Sequence, residues 1–255
     1  MRKIGLKLWS TNVDYIYAAA DLYRRNMFDY LELFTVPGST ETLPLWKKLG
    51  VPYVLHAPHS AAGLNVSDSS SRNTNLTLVE QVEEFFHALS PAFVIFHPGE
   101  DGDLRESIFQ IRAFGVRFPK VYQKVVIENN PKIGLEGQKC IGASPEEIRL
   151  LLEGTGRGFC LDFSHAACYS VSAKKEWKEE LAKFSTLGPQ MYHLCDGFFS
   201  EKDNHQHLGE GEFDLTYLVG LIGRNSHITL ETNCASKNLQ EFINDAEFLR
   251  TLINS

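Results

Sequence analysis

The sequence predicts a single (β/α)8 TIM barrel, an α/β fold, that occupies all 255 residues as one domain. Two observations support this prediction. Short apolar runs alternate eight times with amphipathic stretches, and several of the apolar runs end abruptly in a His, Asp or Glu. Eight strand–helix units in about 250 residues are typical of a TIM barrel, whose active sites lie at the C-terminal ends of the strands.

The apolar runs are short enough to be buried parallel strands. The predicted strands lie at about residues 4–9, 30–35, 53–57, 93–97, 124–129, 158–163, 190–195 and 227–231. The predicted helices are Val13–Met27, Leu43–Leu49, Leu76–Leu89, Leu104–Phe114, Pro145–Leu152, Glu176–Phe184, Leu215–Ile222 and Leu239–Leu252. Ser144 before Pro145 is a helix start signal. The longest connections are expected after strands three, six and seven, where substrate recognition would reside.

Composition narrows the class of protein. The net charge of −7 and the pI of 5.7 give no global reason to expect nucleic-acid binding, although bound divalent metals would reverse the field locally. Five cysteines without a Cys-x-x-Cys pair argue against disulfides and zinc ribbons. The N-terminus lacks the features of a secretory signal, and no run approaches the roughly 18 to 20 apolar residues of a membrane span. We therefore expect a cytoplasmic protein that does not enter a membrane.

Five histidines and four carboxylates lie at the strand ends or in the loop after strand seven. They are His56, His97, Glu128, Asp162, His165, His193, Asp203, His205 and Glu231. Any one of them could be an ordinary hydrogen-bonded core residue or ion pair. Together they would leave several charges buried and unpaired without metals. Nine ligands exceed the need of one ion, so the set predicts two or three metals with a bridging carboxylate, and zinc, manganese or iron suits the donors.

The remaining histidines are interpreted separately. His59, Asp196 and His207 lie close to the predicted ligands and are candidate substrate contacts, although His59 and His207 could equally sit on the rim. His87 lies within a helical pattern, and His227 begins strand eight at the opposite end of the barrel, so neither is assigned to the site.

Seven motifs in order along the chain resemble the endonuclease IV family (AP endonuclease family 2), part of the xylose isomerase-like TIM barrel superfamily. They are His56-Ala57-Pro58, Phe96-His97-Pro98-Gly99, Ile127-Glu128-Asn129, Leu161-Asp162-Phe163-Ser164-His165, His193-Leu194-Cys195-Asp196, Asp203-Asn204-His205 with Leu208-Gly209-Glu210-Gly211, and Leu230-Glu231-Thr232.

The resemblance implies three zinc ions, with manganese or iron as alternatives at one or more sites. One zinc would be held by His56, His97 and Glu128, a second by Glu128, Asp162, His193 and Glu231, and a third by His165, Asp203 and His205. It also implies hydrolysis of a phosphodiester at abasic sites in DNA, a DNA-repair reaction, by metal-activated water. Glu128 would bridge two ions, and Glu231 would orient or deprotonate the water, which makes these two the predicted catalytic residues.

The DNA-contacting segments depart from the family's pattern. The segment Thr35–Thr40 lacks the family's arginine and tryptophan, His59 stands where a tyrosine is usual, and Asn204 replaces the arginine of Asp-Arg-His. The substrate is therefore expected to be a phosphate ester, either abasic DNA or a smaller molecule. No protein partner can be named.

Two other classes of function stay open. A divalent-metal sugar isomerase or epimerase of the same superfamily would need one ion at the residues equivalent to Glu128, Asp162, His193 and Glu231. It would have no evident need for His56, His97, Asp203 and His205 together. A non-enzymatic metal-binding scaffold is the third class.

Overall fold

The computed structural model describes residues 1–254 and contains a closed barrel in which eight parallel strands follow one another in chain order. The strands are β1 Lys3–Trp9, β2 Tyr30–Phe34, β3 Tyr53–His56, β4 Val94–Phe96, β5 Val125–Glu128, β6 Gly158–Asp162, β7 Met191–Leu194 and β8 His227–Leu230. The barrel closes where β8 pairs with β1, with Lys3 opposite His227 and Leu6 opposite Leu230. The predicted (β/α)8 TIM barrel is confirmed.

Helices surround the barrel and cover its outer face. They are α1 Ile16–Arg24, α2 Leu43–Leu49, α3 Arg72–Leu89, α4 Leu104–Arg117, α5 Pro119–Tyr122, α6 Pro145–Thr155, α7 Phe163–Ala173, α8 Trp177–Ser185, α9 Leu215–Leu221 and α10 Gln240–Asn254. The helix start predicted at Ser144 is confirmed, because its side chain accepts a hydrogen bond from the backbone N–H of Glu147. None of the helices within residues 1–254 combines the length and apolar composition that crossing a bilayer requires.

Side chains alternate between the two faces of each strand, and this alternation separates two parts of the core. Outward-facing residues such as Leu31, Leu33 and Leu55 join the large cluster beneath the helices. Inward-facing residues fill the lower interior of the barrel with an apolar plug. The plug consists of Tyr30, Val54, Ile95, Val126, Cys160 and Met191. It closes the barrel below the site.

Gly5 shows why the plug needs a glycine on β1. A Cβ at this position would lie 2.4 Å from Cζ of Tyr30, whose ring crosses the interior at this level. The Tyr30 hydroxyl and Thr229 Oγ1 are hydrogen-bonded at 2.8 Å, which fixes the ring. Any side chain at residue 5 would displace it.

The prediction of a long connection after strand six was wrong. The sixth strand, predicted at about residues 158–163, ends at Asp162, and α7 begins at Phe163 with no connection between them. Eight residues of α7 are buried, so the segment has no polar face to reveal a helical period. The missed long connection follows β5 and spans residues 129–144. Long connections after β3 and β7 are confirmed.

Candidate metal centre

Directly above the apolar plug, an ionisable side chain occupies the inward-facing position of each strand or the residue just after it. These eight residues, here called the ionisable layer, are Lys7, Glu32, His56, His97, Glu128, Asp162, His193 and Glu231. Each lies two residues beyond an inward-facing residue of the level below, as Glu128 lies beyond Val126. Four carboxylates and one lysine give the layer a net charge of −3 when its imidazoles are neutral. Such an excess of buried negative charge calls for cations.

His56, His97 and Glu128, the first trio, form a compact triangle. Nε2 of His56 lies 3.3 Å and Nε2 of His97 3.2 Å from Oε2 of Glu128, and the two nitrogens are 3.3 Å apart. Two ligands of a tetrahedral zinc with bonds of about 2.0 Å lie about 3.3 Å apart. The triangle therefore has the dimensions of three zinc ligands.

Hydrogen bonds around the first trio leave its inner atoms without protons. Nδ1 of His56 lies 2.7 Å from the carbonyl of Ala57, and Nδ1 of His97 lies 2.5 Å from Oδ1 of Asn130. Each imidazole thus donates a hydrogen bond through Nδ1 to an oxygen outside the trio, and its Nε2 directs a lone pair toward the centre of the trio. Oε2 of Glu128 is buried without a hydrogen bond. Three facing acceptors repel one another unless a cation lies between them, so the donor set fits a metal ion.

Glu128, Asp162, His193 and Glu231 form the second group around Nδ1 of His193. That nitrogen lies 3.0 Å from Oε1 of Glu128, 3.0 Å from Oε1 of Glu231 and 3.7 Å from Oδ2 of Asp162. The two oxygens of Glu128 therefore face different groups, Oε2 the first trio and Oε1 the second. A carboxylate in this position suits a bridge between two ions.

His165, Asp203 and His205, the third trio, meet in pairs around Asp203. Oδ2 of Asp203 lies 3.5 Å from Nε2 of His165 and also contacts Nε2 of His205. Asp162 caps α7 by accepting the backbone N–H of His165 at 2.6 Å, which fixes this histidine in the first turn of the helix. The nine predicted ligands are thus gathered at the C-terminal end of the barrel.

Lys7 and Glu32 belong to the ionisable layer but escaped prediction from the sequence. Nε2 of His193 donates to Oε2 of Glu32 at 3.0 Å, and Thr229 Oγ1 donates to the same oxygen at 2.6 Å. The ammonium of Lys7 contacts Glu231 and lies 3.2 Å from Oε1 of Glu32. Glu32 thereby turns Nδ1 of His193 toward the second group. A charged residue inside an apolar strand is the sequence signal that could have revealed both.

The pKa shifts follow from the crowding of carboxylates. Burial raises the pKa of Asp162 to about 6, because the favourable effect of His165 is opposed by Glu231 and other carboxylates. Burial alone would lower the pKa of Lys7, but Glu231 and then Glu32 raise it above its usual value. Lys7 therefore stays charged and compensates part of the negative layer.

The three predicted substrate contacts lie in different surroundings. His59 lines the cavity above the first trio, with its ring 5.9 Å from that of His97. Asp196 is buried, and its oxygens accept backbone N–H groups of Gly197, Gly209 and Phe213. Nδ1 of His207 lies 2.8 Å from Oδ2 of Asp245 on α10. The structure thus brings His59 to the cavity and uses the other two to hold the loop after β7.

A cavity of about 850 Å³ opens above the ionisable layer. Residues of all three groups line it, namely His56, His97 and Glu128, then Glu231, and the third trio. Asp162 and His193 lie beneath its floor. The volume is within the usual range for small-molecule sites.

Comparisons with known proteins agree with this architecture. The chain matches the family described as xylose isomerase-like TIM barrel over residues 21–252. It is 28% identical over 167 residues to the "probable endonuclease 4" of Thermoplasma volcanium, a match that covers 60% of this chain and 58% of that relative. The matched region is therefore less than two thirds of the relative's length.

Two solved structures share the whole fold. A D-tagatose 3-epimerase-like protein superposes with a TM-score of 0.77 at 18% identity, over 99% of this chain and 97% of its own. Endonuclease IV from Thermus thermophilus superposes with a TM-score of 0.72 at 20% identity, over 99% of both chains. At these identities the likenesses concern the fold and do not choose between the two activities.

Proposed function

This chain belongs to the xylose isomerase-like TIM barrel family, an enzyme superfamily, and we propose that it is a zinc-dependent phosphodiester hydrolase of the endonuclease IV type. The first trio carries the proposal. His56, His97 and Glu128 turn three acceptor atoms toward one another at 3.2–3.3 Å, directly beside the second group. Adjacent metal positions that share one carboxylate suit phosphoryl transfer, because two ions can neutralise charge on both sides of phosphorus.

The chain's own residues would divide the work as follows. When bound, divalent ions would lower the pKa of a coordinated water and polarise the phosphoryl oxygens. Glu128 would hold two ions through its separate oxygens, and Glu231, at the floor of the cavity, would orient the attacking water or accept its proton. His205 lies beside Glu231, with its Nδ1 3.8 Å from Oε2, and together with His165 and Asp203 it would hold an ion that stabilises the departing oxygen.

Abasic DNA is the first substrate to test, since the named relative is a probable endonuclease. Protein purified without added metals or chelators should contain close to three zinc ions per chain by elemental analysis. It should cleave an abasic duplex or the simple diester bis(p-nitrophenyl) phosphate. Protein that carries three ions and cleaves neither substrate would contradict the proposal.

A sugar isomerase or epimerase is the second candidate, because the second group alone could hold one ion and an epimerase-like protein shares the fold. His97→Ala separates the two functions. If the protein is a phosphoesterase, the variant should lose one ion and most of its activity. If it is an isomerase with one ion, the variant should keep that ion and its activity. One manganese, cobalt or iron ion per chain, with turnover of a ketose, would favour the isomerase.

A further inference from the structure

Three aromatic rings form one side of the cavity, and we call Trp9, Phe34 and His59 the aromatic wall. Trp9 lies two residues beyond Lys7 on β1, and Phe34 lies two residues beyond Glu32 on β2. Both therefore continue the inward-facing rows of their strands above the ionisable layer. The rings of Trp9 and Phe34 are 5.3 Å apart, and those of Phe34 and His59 are also 5.3 Å apart.

The aromatic wall adjoins the first trio. The ring of Phe34 lies 5.2 Å from that of His56, and the ring of His59 lies 5.9 Å from that of His97. Both separations are typical of aromatic rings in direct contact. A small molecule that lies on the wall would therefore be adjacent to His56 and His97.

Trp9 differs from the other rings of the wall in its exposure. Phe34 is only 5% exposed, whereas Trp9 is 53% exposed although it lies at the end of a barrel strand and lines the cavity. A half-exposed indole beside a polar centre offers apolar area on which a ligand ring can stack. The remaining side of the cavity includes Ile133 and Leu135 from the loop after β5.

The charges of the cavity do not suit a long polyanion. Among the lining residues, all of which lie in the described part of the chain, Lys7 is the one with a permanent positive charge. Its ammonium is already held by Glu32 and Glu231. Glu100 and Glu136 add further negative charge to the lining. Proteins that bind duplex DNA neutralise several phosphates with Lys and Arg, and this lining offers none for that purpose.

We propose that the aromatic wall is a subsite for the ring of a small substrate, whose phosphate lies over the first trio. The position of the phosphate rests on the proposed function, whereas the position of the ring on the aromatic wall does not. A furanose or pyranose ring and a nucleobase both present an apolar face that can lie on an indole. The shared requirement is a ring with such a face, attached to a phosphate through a short linkage.

Binding of three phosphate compounds to the zinc-loaded 255-residue chain tests the subsite. The probes are inorganic phosphate, ribose 5-phosphate and thymidine 5′-monophosphate, measured by calorimetry. A ring on the wall should strengthen binding at least about tenfold over inorganic phosphate. Preference for ribose 5-phosphate would identify a sugar on the wall, and a further gain for the nucleotide would identify a base.

Trp9→Ala should remove most of this preference, lowering the affinity for the ring-bearing phosphate about tenfold and leaving inorganic phosphate unchanged. Trp9→Phe should keep most of the affinity because it retains a ring. Tyr17→Ala is the matched control, since Tyr17 is an 88% exposed aromatic on α1 outside the cavity lining. Thermal melts of each variant check that the fold is retained.

Equal weakening of inorganic phosphate and the nucleotide by Trp9→Ala would overturn the inference. So would tighter binding of an abasic duplex than of the nucleotide with a steep dependence on salt, because that result requires several phosphate contacts. If free ketohexoses bind in a Trp9-dependent manner and inorganic phosphate does not bind, the phosphoesterase proposal fails and the ring subsite stands.

Discussion

Replacing Glu32 tests whether a residue that never reaches the cavity sets the metal affinity of the second group. Glu32 is fully buried and accepts hydrogen bonds from His193 at 3.0 Å and Thr229 at 2.6 Å. Carboxylates that orient a metal-binding histidine typically change the affinity 10–100-fold when they are replaced. This range corresponds to about 1.4–2.7 kcal/mol.

The two replacements should fall at different ends of that range. Glu32→Gln keeps an oxygen that can accept from His193 but loses the charge that faces Lys7, so we expect a loss near tenfold. Glu32→Ala leaves the Nε2–H of His193 without an acceptor and frees the ring to turn, so we expect a loss nearer a hundredfold. Zinc affinity would be measured by competition with a chromophoric chelator.

Glu180→Gln is the matched control for burial and charge. Glu180 is also a buried glutamate paired with lysines, since its oxygens lie 2.6 Å from Lys183 and 3.5 Å from Lys175, but it lies on α8 outside the barrel. Its replacement should lower stability in urea without changing zinc affinity. Unchanged affinity in both Glu32 variants would refute the argument, as would an equal loss in the Glu180 variant.

Three further predictions concern the site and the barrel. His97→Ala should bind one zinc ion fewer than the parent by elemental analysis, and an unchanged count would remove His97 from the site. Burial and then Lys3 lower the pKa of His227 to about 4, so the unfolded chain binds more protons between about pH 6.5 and pH 4. Thermal stability should therefore fall as the pH decreases through this window, and less so in His227→Gln. Gly5→Ala, with its Cβ 2.4 Å from Tyr30, should lower the free energy of unfolding by about 1–3 kcal/mol in urea titrations, and full stability would contradict the packing.

The sequence was sufficient for the fold and for the candidate ligands at the strand ends, because both depend on simple periodicity. Apolar strands of a parallel barrel are buried on both faces, so a His or acid at the end of one is conspicuous. Glu128 and Glu231 were visible for this reason. The spatial grouping around the two oxygens of Glu128 follows from the strand register, which pairs Glu128 with Cys160 and Asp162 with His193.

Lys7 and Glu32 were missed because they lie inside strands and not at the strand ends. A charged residue there only interrupts the apolar pattern and does not by itself indicate a site. The register places them side by side on β1 and β2, and only the closed barrel brings His193 and Glu231 to the same pair. Asn130 was missed for another reason. It lies in an unpredicted loop, and its contact with His97 joins residues 33 positions apart. Side-chain partners of this kind depend on loop conformation, which periodicity does not specify.

Lys7 also explains where metals would and would not bind in this layer. Ligand atoms of Glu32, His56 and Glu231 converge closely enough to hold an ion, as do those of the first trio and the second group. The ammonium of Lys7 contacts both carboxylates of that additional cluster, so a fixed cation already supplies the charge that an ion would bring. The first trio has no such lysine, and Lys7 contacts the second group through Glu231 alone. The negative charge that Lys7 does not compensate therefore lies around Glu128, directly beneath the cavity and beside the aromatic wall. This is where we expect metal ions to bind.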